Sequence, residues 1–257
     1  MDNKTQSNHE ALTAEQKNRI LFVVDGDASY LYYTGMLLQR LDYSVYTAKS
    51  AEETLEVMKF STPLLILTEL ALPHMSGIEF LKKIKQDPMT KALPVIMYTA
   101  SQDPSLKYLC KDAGCAAFLK KPFDPDELYA AVQRATEDTP RSYARLQTCL
   151  RVVLGDEREG THLADSCITA LSENGMYVTT SAPLRAGTQI PVIIFLGSEK
   201  IEVQGIVLYS FGSGKGPLGT SGMGIKFLQM KPELRSVVSA FIKKELTHDI
   251  AHHKAEK

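Results

Sequence analysis

Five times between Ile20 and Thr136 a short apolar run gives way to a stretch with helical spacing, and that alternation restricts the fold more than any other feature. Ile20-Leu21-Phe22-Val23-Val24 is apolar throughout and ends at Asp25-Gly26-Asp27, as expected of a strand covered on both faces. Ser44 to Ala48, Leu64 to Thr68, Pro94 to Thr99 and Ala116 to Lys120 read as four further strands. Between them, Ala28 to Leu41 carries Leu31, Gly35, Leu38 and Leu41 on one helical face. Ser50 opens a helix to Phe60 with Glu53 three residues on, the pattern of a capping box. Ser76 to Gln86 is helical and stops at Asp87-Pro88. Asp103 to Ala113 ends at Gly114, and Asp124 or Asp126 caps a last helix to Thr136. Strands and helices alternating through short connections predict a parallel sheet with helices on both faces, an α/β doubly wound (βα)5 domain over residues 19–136.

The pattern changes after Glu137-Asp138-Thr139-Pro140, which lacks apolar periodicity and reads as a boundary. Leu146 to Leu154, Ser166 to Leu171, Gly175 to Thr180, Gln189 to Leu196, Ile201 to Tyr209 and Met223 to Phe227 alternate apolar and polar residues, and turn residues separate them. They predict a small all-β antiparallel barrel. Pro232 opens a C-terminal helix to Leu246, with Leu234, Val237, Val238, Phe241 and Ile242 on its apolar face. The polar lead 1–18 and the tail 247–257 are expected to be disordered or frayed, 137–145 to be a linker, and 146–246 to be the second domain.

A net charge of -1 argues against bulk attraction to nucleic acid or to membrane surfaces. No apolar run approaches the roughly 18 residues needed to span a bilayer, and the polar N-terminus lacks a signal-peptide core. A cytoplasmic location is therefore expected, without membrane insertion. Cys110, Cys115, Cys149 and Cys167 form no Cys-x-x-Cys and no zinc spacing, so reduced, mostly buried thiols and no metal site are expected. Gly214-Lys215-Gly216-Pro217-Leu218-Gly219 spells a Gly-x-Gly-x-x-Gly, but between two predicted antiparallel strands it is a hairpin loop, not a nucleotide site.

Four features of the first domain coincide in order and spacing. Asp25 follows the first strand. Glu69 ends the third and precedes Leu72-Pro73-His74-Met75-Ser76-Gly77. Thr99 ends the fourth, and Lys121 follows the fifth within Lys-Lys-Pro-Phe. In this the chain resembles the flavodoxin-like receiver domains of bacterial response regulators. The resemblance implies a pocket of Asp25, Asp27, Glu69, Thr99 and Lys121, with Phe118 where receivers keep a switch aromatic. In working receivers two acidic residues after the first strand and a phosphorylated aspartate hold Mg²⁺. Here Gly26 stands at the second acidic position, and Glu69, longer by one methylene, at the acceptor. Octahedral Mg²⁺ tolerates only small displacements of its carboxylates. The expectation is a pseudo-receiver without Mg²⁺ and without an acyl phosphate; either Glu69 pairs with Lys121 and imitates part of the phospho-aspartate, or the site has decayed and the domain is a docking scaffold. Phe118 and Tyr98 are assigned to packing.

Residues 141–246 resemble PilZ domains, the small barrels that bind the bacterial second messenger cyclic di-GMP. Arg141-Ser142-Tyr143-Ala144-Arg145 matches the family's Arg-x-x-x-Arg. Ser172-Glu173-Asn174-Gly175 matches the latter part of its (Asp/Asn)-x-Ser-x-x-Gly turn, and Gly222 to Phe227 its closing strand. Arginines suit two phosphates and two guanines because they combine bidentate donors with a stacking face. The resemblance assigns cyclic di-GMP contacts to Arg141, Arg145, Ser172 and Gly175. Ala170 stands at the turn's first position and cannot hydrogen-bond a base edge. Ligand binding and a plain linker with a hairpin turn both stay open.

With no nucleophile–base arrangement in view, a non-enzymatic signalling adaptor is expected. It would act through contacts with signalling or motility proteins, in motility, polarity or exopolysaccharide control, and not through nucleic acid. The family's dimerising face makes a homodimer one candidate assembly. The alternative is a true phosphorylated response regulator with a cyclic-di-GMP-binding output.

Overall fold

The computed structural model describes residues 19–138, 140, 143–155, 166–216 and 219–250. The predicted disordered lead 1–18, Arg141, and the tail from 251 lie outside the described residues. The chain divides into two compact units, treated separately below.

The first unit is built on a five-stranded parallel sheet: β1 (Ile20–Val24), β2 (Ser44–Ala48), β3 (Leu65–Glu69), β4 (Val95–Thr99) and β5 (Ala117–Lys120), in the order β2-β1-β3-β4-β5. Every residue of β3 and β4 is buried, whereas the edge strands β2 and β5 are only partly covered. This is why the central runs are apolar until the polar residues at their carboxyl ends, and the outer ones mixed. Phe22, Ile66, Val95 and Met97 join Phe80, Leu81 and Ile84 in one core cluster, each side chain contributing about 1.5–3 kcal/mol by burial.

Helices α1 (Ala28–Arg40), α2 (Ala51–Met58), α3 (Gly77–Gln86) and α4 (Ser105–Asp112) connect the strands, and α5 (Pro125–Thr136) follows the last of them. At α2 the predicted capping box is half formed. Ser50 Oγ accepts from the Glu53 N–H, but the Glu53 carboxylate accepts from Lys49 N–H, one residue early. The complete box sits at α3, where Ser76 and Glu79 satisfy each other's backbone. Gly77 beside it is obligatory, because a Cβ there would lie 2.3 Å from the Glu69 carbonyl oxygen. The start of α3 is thereby pressed onto the end of β3, which fixes the backbone around Glu69.

The second unit is a closed antiparallel barrel: β6 (Leu146–Leu154), β7 (Cys167–Ser172), β8 (Gly175–Thr179), β9 (Gln189–Leu196), β10 (Glu199–Phe211) and β11 (Gly222–Leu228), in the order β10-β11-β8-β7-β6-β9. Closure leaves no open edge. β10 runs longer than its apolar pattern predicts, because the two-residue turn Gly197-Ser198 carries its ladder with β9 back to Glu199↔Leu196. Asn174-Gly175 is not the centre of a turn: Gly175 is the first residue of β8, and a Cβ on it would meet the Ile225 carbonyl oxygen at 2.3 Å. α6 (Pro232–Thr247) packs on β6 and β7 through Val238, Ile242 and Leu246. Val237, predicted on that face, is exposed, because the buried stripe follows the strict i, i+4 spacing of these three residues.

The cysteines differ from expectation too. Cys110 is buried, Cys115 and Cys167 are half-buried, and Cys149 is exposed.

Candidate functional site

In the parallel unit, the carboxyl ends of β1 and β3 lie side by side at the point where the strand order reverses, the usual place for a site in an open α/β sheet. Asp25 and Glu69 occupy those two ends, and Lys121, just past β5, reaches between them. Its Nζ lies 2.6 Å from Asp25 Oδ2 and 2.5 Å from Glu69 Oε2. The three side chains are only 8, 2 and 7% exposed for Lys121, Asp25 and Glu69 respectively. The remaining carboxylate oxygens are also engaged: Asp25 Oδ1 accepts from Asp27 N–H at 2.9 Å, and Glu69 Oε1 from Leu70 and Ala71 N–H at 2.8 and 3.2 Å. The ammonium also sits 4.0 Å from the Tyr30 ring centroid and 5.0 Å from that of Tyr98, so aromatic faces complete its surroundings.

The pocket's other residues take supporting places. Asp27 Oδ1 accepts from Ser29 N–H at 2.8 Å and caps α1. Thr99 is buried, its Oγ1 accepts from Ser101 N–H, and its carbonyl accepts from Lys121 N–H at 2.8 Å. Tyr98 donates its hydroxyl to the Val24 carbonyl at 3.2 Å, and burial, then the neighbouring Asp25, hold that hydroxyl well above its ordinary pKa. The Tyr30 hydroxyl is raised as well, by burial first and then by Asp25, Asp27 and Glu69. Phe118 is half-buried against the core cluster. The motif residues led directly to Asp25, Glu69 and Lys121. Tyr30 was missed, although a ring in the first turn of the helix that follows Asp25 is a readable signal.

This donor set does not suit Mg²⁺. A hard cation needs several free carboxylate oxygens in strict geometry. Gly26 supplies none, and an ammonium already neutralises the facing oxygens of Asp25 and Glu69. Gly26 is not demanded by the backbone: its φ lies outside the left-handed region, and an added Cβ would come no nearer than 3.4 Å to Pro73 Cδ.

In the barrel, a cleft of about 210 Å³ opens between β7, β8, β10 and β11. It gathers Arg145, Ser172 and Gly175, three of the four residues proposed for the ligand, together with Ala170. Ser172 Oγ donates to the Gly175 carbonyl at 3.0 Å, which ties the ends of the turn. Asn174 Oδ1 accepts from Arg235 Nη1 at 2.7 Å. Tyr177, Tyr209 and Lys226 also line it, unforeseen from the pattern. Tyr209 is 41% exposed and lies near parallel to Tyr177, their ring centroids 6.5 Å apart. Gly224 makes this possible: a Cβ there would stand 2.4 Å from the Tyr209 ring. The cleft thus offers a cation, amide and hydroxyl groups, and an aromatic wall. At about 210 Å³ it is smaller than the roughly 300–1,000 Å³ of drug-sized sites.

Residues 21–133 match the family model of the response regulator receiver domain, and residues 137–244 match that of the PilZ domain. Among curated proteins, the response regulator Rre1 of Synechocystis sp. is 35% identical over 112 residues, 41% of this chain and 48% of that protein. The DNA-binding transcriptional regulator NtrC of Escherichia coli is 37% identical over 117 residues, 45% of this chain and 24% of that one. A putative response regulator from Chloroflexus aurantiacus, solved by crystallography, is 33% identical with a TM-score of 0.45, covering 46% of this chain and 97% of its own. The chain spans about half or less of the length of these curated relatives.

Proposed function

We propose that this chain, which carries a response regulator receiver domain at residues 21–133 followed by a PilZ domain at residues 137–244, is a non-enzymatic signalling adaptor whose receiver works without phosphoryl transfer. The observation that carries the reading is the Lys121 ammonium held at 2.6 Å from Asp25 and 2.5 Å from Glu69. A nucleophilic carboxylate needs a free oxygen and a counter-charge on the incoming phosphoryl group. Both oxygens of Glu69 are hydrogen-bonded, and the local cation is spent on the pocket's own carboxylates. The receiver then holds one arrangement and contributes a fixed surface to signalling or motility proteins, with control of motility, polarity or exopolysaccharide output as the expected setting.

The test is incubation with acetyl phosphate and Mg²⁺ followed by intact mass. The wild type is expected to gain no phosphoryl group. Gly26→Asp with Glu69→Asp rebuilds the three-carboxylate set at positions with room for it, and is expected to gain one. A phosphoryl adduct on wild-type Glu69 would overturn the reading.

A second reading concerns the barrel and is favoured by the cleft that joins Arg145, Ser172, Asn174 and Gly175. Cyclic di-GMP would place a guanine against the turn and the Tyr209 face, with Arg145 on phosphate or base. Ala170 removes one base contact, worth about 1–3 kcal/mol, so binding weaker by that amount is the expectation. Calorimetry compares wild type with Arg145→Ala. Heat that saturates in the wild type and vanishes in the variant supports the ligand, and no heat at micromolar concentration rejects it.

A further inference from the structure

Cys149 on β6 and Cys167 on β7 bring their sulfurs to 2.8 Å from each other. Neither side chain lines the cleft. Arg151 pairs with Cys167 and Leu150 with Ile168, so Cys149 stands diagonally across the ladder from Cys167. The register of the two strands is irregular between Gln147 and Leu150, the stretch that holds Cys149. Such irregularities re-aim a side chain, and here the result is a thiol turned to its cross-strand neighbour. Cys149 is exposed and Cys167 half-exposed, so a small solute reaches the pair. Cys110 makes the contrast: it is buried.

We propose that Cys149 and Cys167 form a peroxide-responsive dithiol site, whose oxidation by a hydroperoxide joins β6 to β7 through a reversible disulfide. The Cys149 thiolate attacks one peroxide oxygen, the O–O bond breaks, and the released hydroxide takes a proton to leave as water. Cys149 is then a sulfenic acid. The Cys167 thiolate attacks that sulfur, the S–O bond breaks as the S–S bond forms, and a second hydroxide leaves, taking up the proton that the Cys167 thiol gave up. Two thiols and one hydrogen peroxide become one disulfide and two waters, a two-electron oxidation of sulfur matched by reduction of the peroxide. A dithiol reductant reverses it by exchange.

The order of attack follows from the surroundings. Cys149 is the more exposed thiol. Cys167 is pushed up to about 11, by burial first and then by its hydrogen bond with Cys149 and that neighbour's charge. Once Cys149 is a neutral sulfenic acid, the last of these causes is gone and Cys167 is freer to ionise and resolve it. The pair needs only to close from contact to bond length, about 2.03–2.05 Å. Thiol pairs of this kind in reducing compartments are transient and redox-sensing more often than structural.

The experiment uses the full chain, fully reduced and titrated with hydrogen peroxide, with remaining thiols counted by maleimide mass labelling and linkages read from peptides. Two of the four cysteines are expected to disappear together, with the protein lighter by two hydrogen atoms and a Cys149–Cys167 linked peptide present. Cys149 should be lost at least about tenfold faster than Cys110, as exposure and access of the thiolate dictate. Dithiothreitol should restore all four. In Cys167→Ser, an unresolved sulfenic acid should persist at Cys149 and be trapped by dimedone; in Cys149→Ser, Cys167 should stay alkylatable. Both substitutions lie outside the closed core, and the peptide map of the wild type stands without them. Overoxidation of wild-type Cys149 to the sulfinic acid while Cys167 remains alkylatable would overturn the proposal, as would linkage of either to Cys110, Cys115 or another chain.

Discussion

The receiver pocket and the barrel cleft treat their polar groups differently: one pairs its charges with each other, and the other lines an open cleft with them. In the pocket, the charges are met by the chain's own groups. Lys121, Asp25 and Glu69 saturate one another, and aromatic rings close over the ammonium. In the cleft, Arg145, Ala170, Tyr209 and Lys226 line an opening. A site satisfied from within becomes part of the fold's stability, because its charges have been taken out of water and depend on one another. A site left open keeps its groups solvated and contributes little to stability. The two can be told apart by what their substitution does to folding.

The largest difference is expected at the cations. Lys121→Met leaves Asp25 and Glu69 buried side by side with no counter-charge, and breaking a buried pair in this way costs about 3–5 kcal/mol. Lys226→Met, at the exposed lip of the cleft, is expected to stay within about 0.5 kcal/mol of wild type. Urea unfolding of the two variants measures the gap. Equal losses would mean that the ion cluster is not closed in solution and that Lys121 is available to an incoming anion.

Glycines give a smaller contrast. Gly175→Ala drives a methyl group into the Ile225 carbonyl oxygen at 2.3 Å, and such crowding costs about 1–3 kcal/mol where the backbone must move. Gly26→Ala meets only Pro73 Cδ at 3.4 Å, and its expected effect is within about 0.5 kcal/mol, as for substitutions away from packed features. The first glycine is needed for the barrel; the second sits where a side chain has room. If Gly26→Ala proved as costly as Gly175→Ala, the loop after β1 would be tighter than its geometry implies, and restoring an acidic residue there would not be a clean test of phosphorylation.

Much of this was readable from the sequence, for reasons that differ between the units. β1, β3 and β4 announce themselves because strands buried on both faces must be apolar throughout, and their ends then place Asp25, Glu69 and Thr99 without further information. Lys121 comes with β5. The pairing of Glu69 with Lys121 follows once both are at one sheet edge. Other features were hidden because they depend on contacts distant in sequence. Gly224 and Gly175 look like ordinary strand or turn glycines until the Tyr209 ring and the Ile225 carbonyl are seen above them. The two thiols are far apart in spacing and become neighbours only through an irregular register. The capping boxes show the limit of a local rule: Ser50 and Glu53 fit the pattern but Glu53 bonds Lys49, while Ser76 and Glu79 complete it.

The smallest effect separates the two sites by pH. Tyr98 keeps its hydroxyl protonated well above the ordinary 10.0, through burial first and then the charge of Asp25. A pKa raised by folding stabilises the protein fully below the unfolded value and less and less as pH climbs from there through the folded value. Above about pH 10, the unfolded chain ionises at Tyr98 while the folded one does not, so stability should fall as pH rises. Tyr98→Phe loses the hydrogen bond to the Val24 carbonyl, about 0.5–1.5 kcal/mol at neutral pH, and should then fall less steeply than wild type at alkaline pH. Tyr177 in the cleft wall is also raised, by burial first, but the neighbouring Thr220 side chain works the other way. Tyr177→Phe should therefore change the alkaline slope less than Tyr98→Phe. Taking each variant as a difference from wild type removes the other alkaline titrations, including Cys110, as long as the sites are independent. If the two tyrosines gave equal slopes, the receiver pocket would be as wet as the cleft, and the contrast between a filled site and an open one would fail.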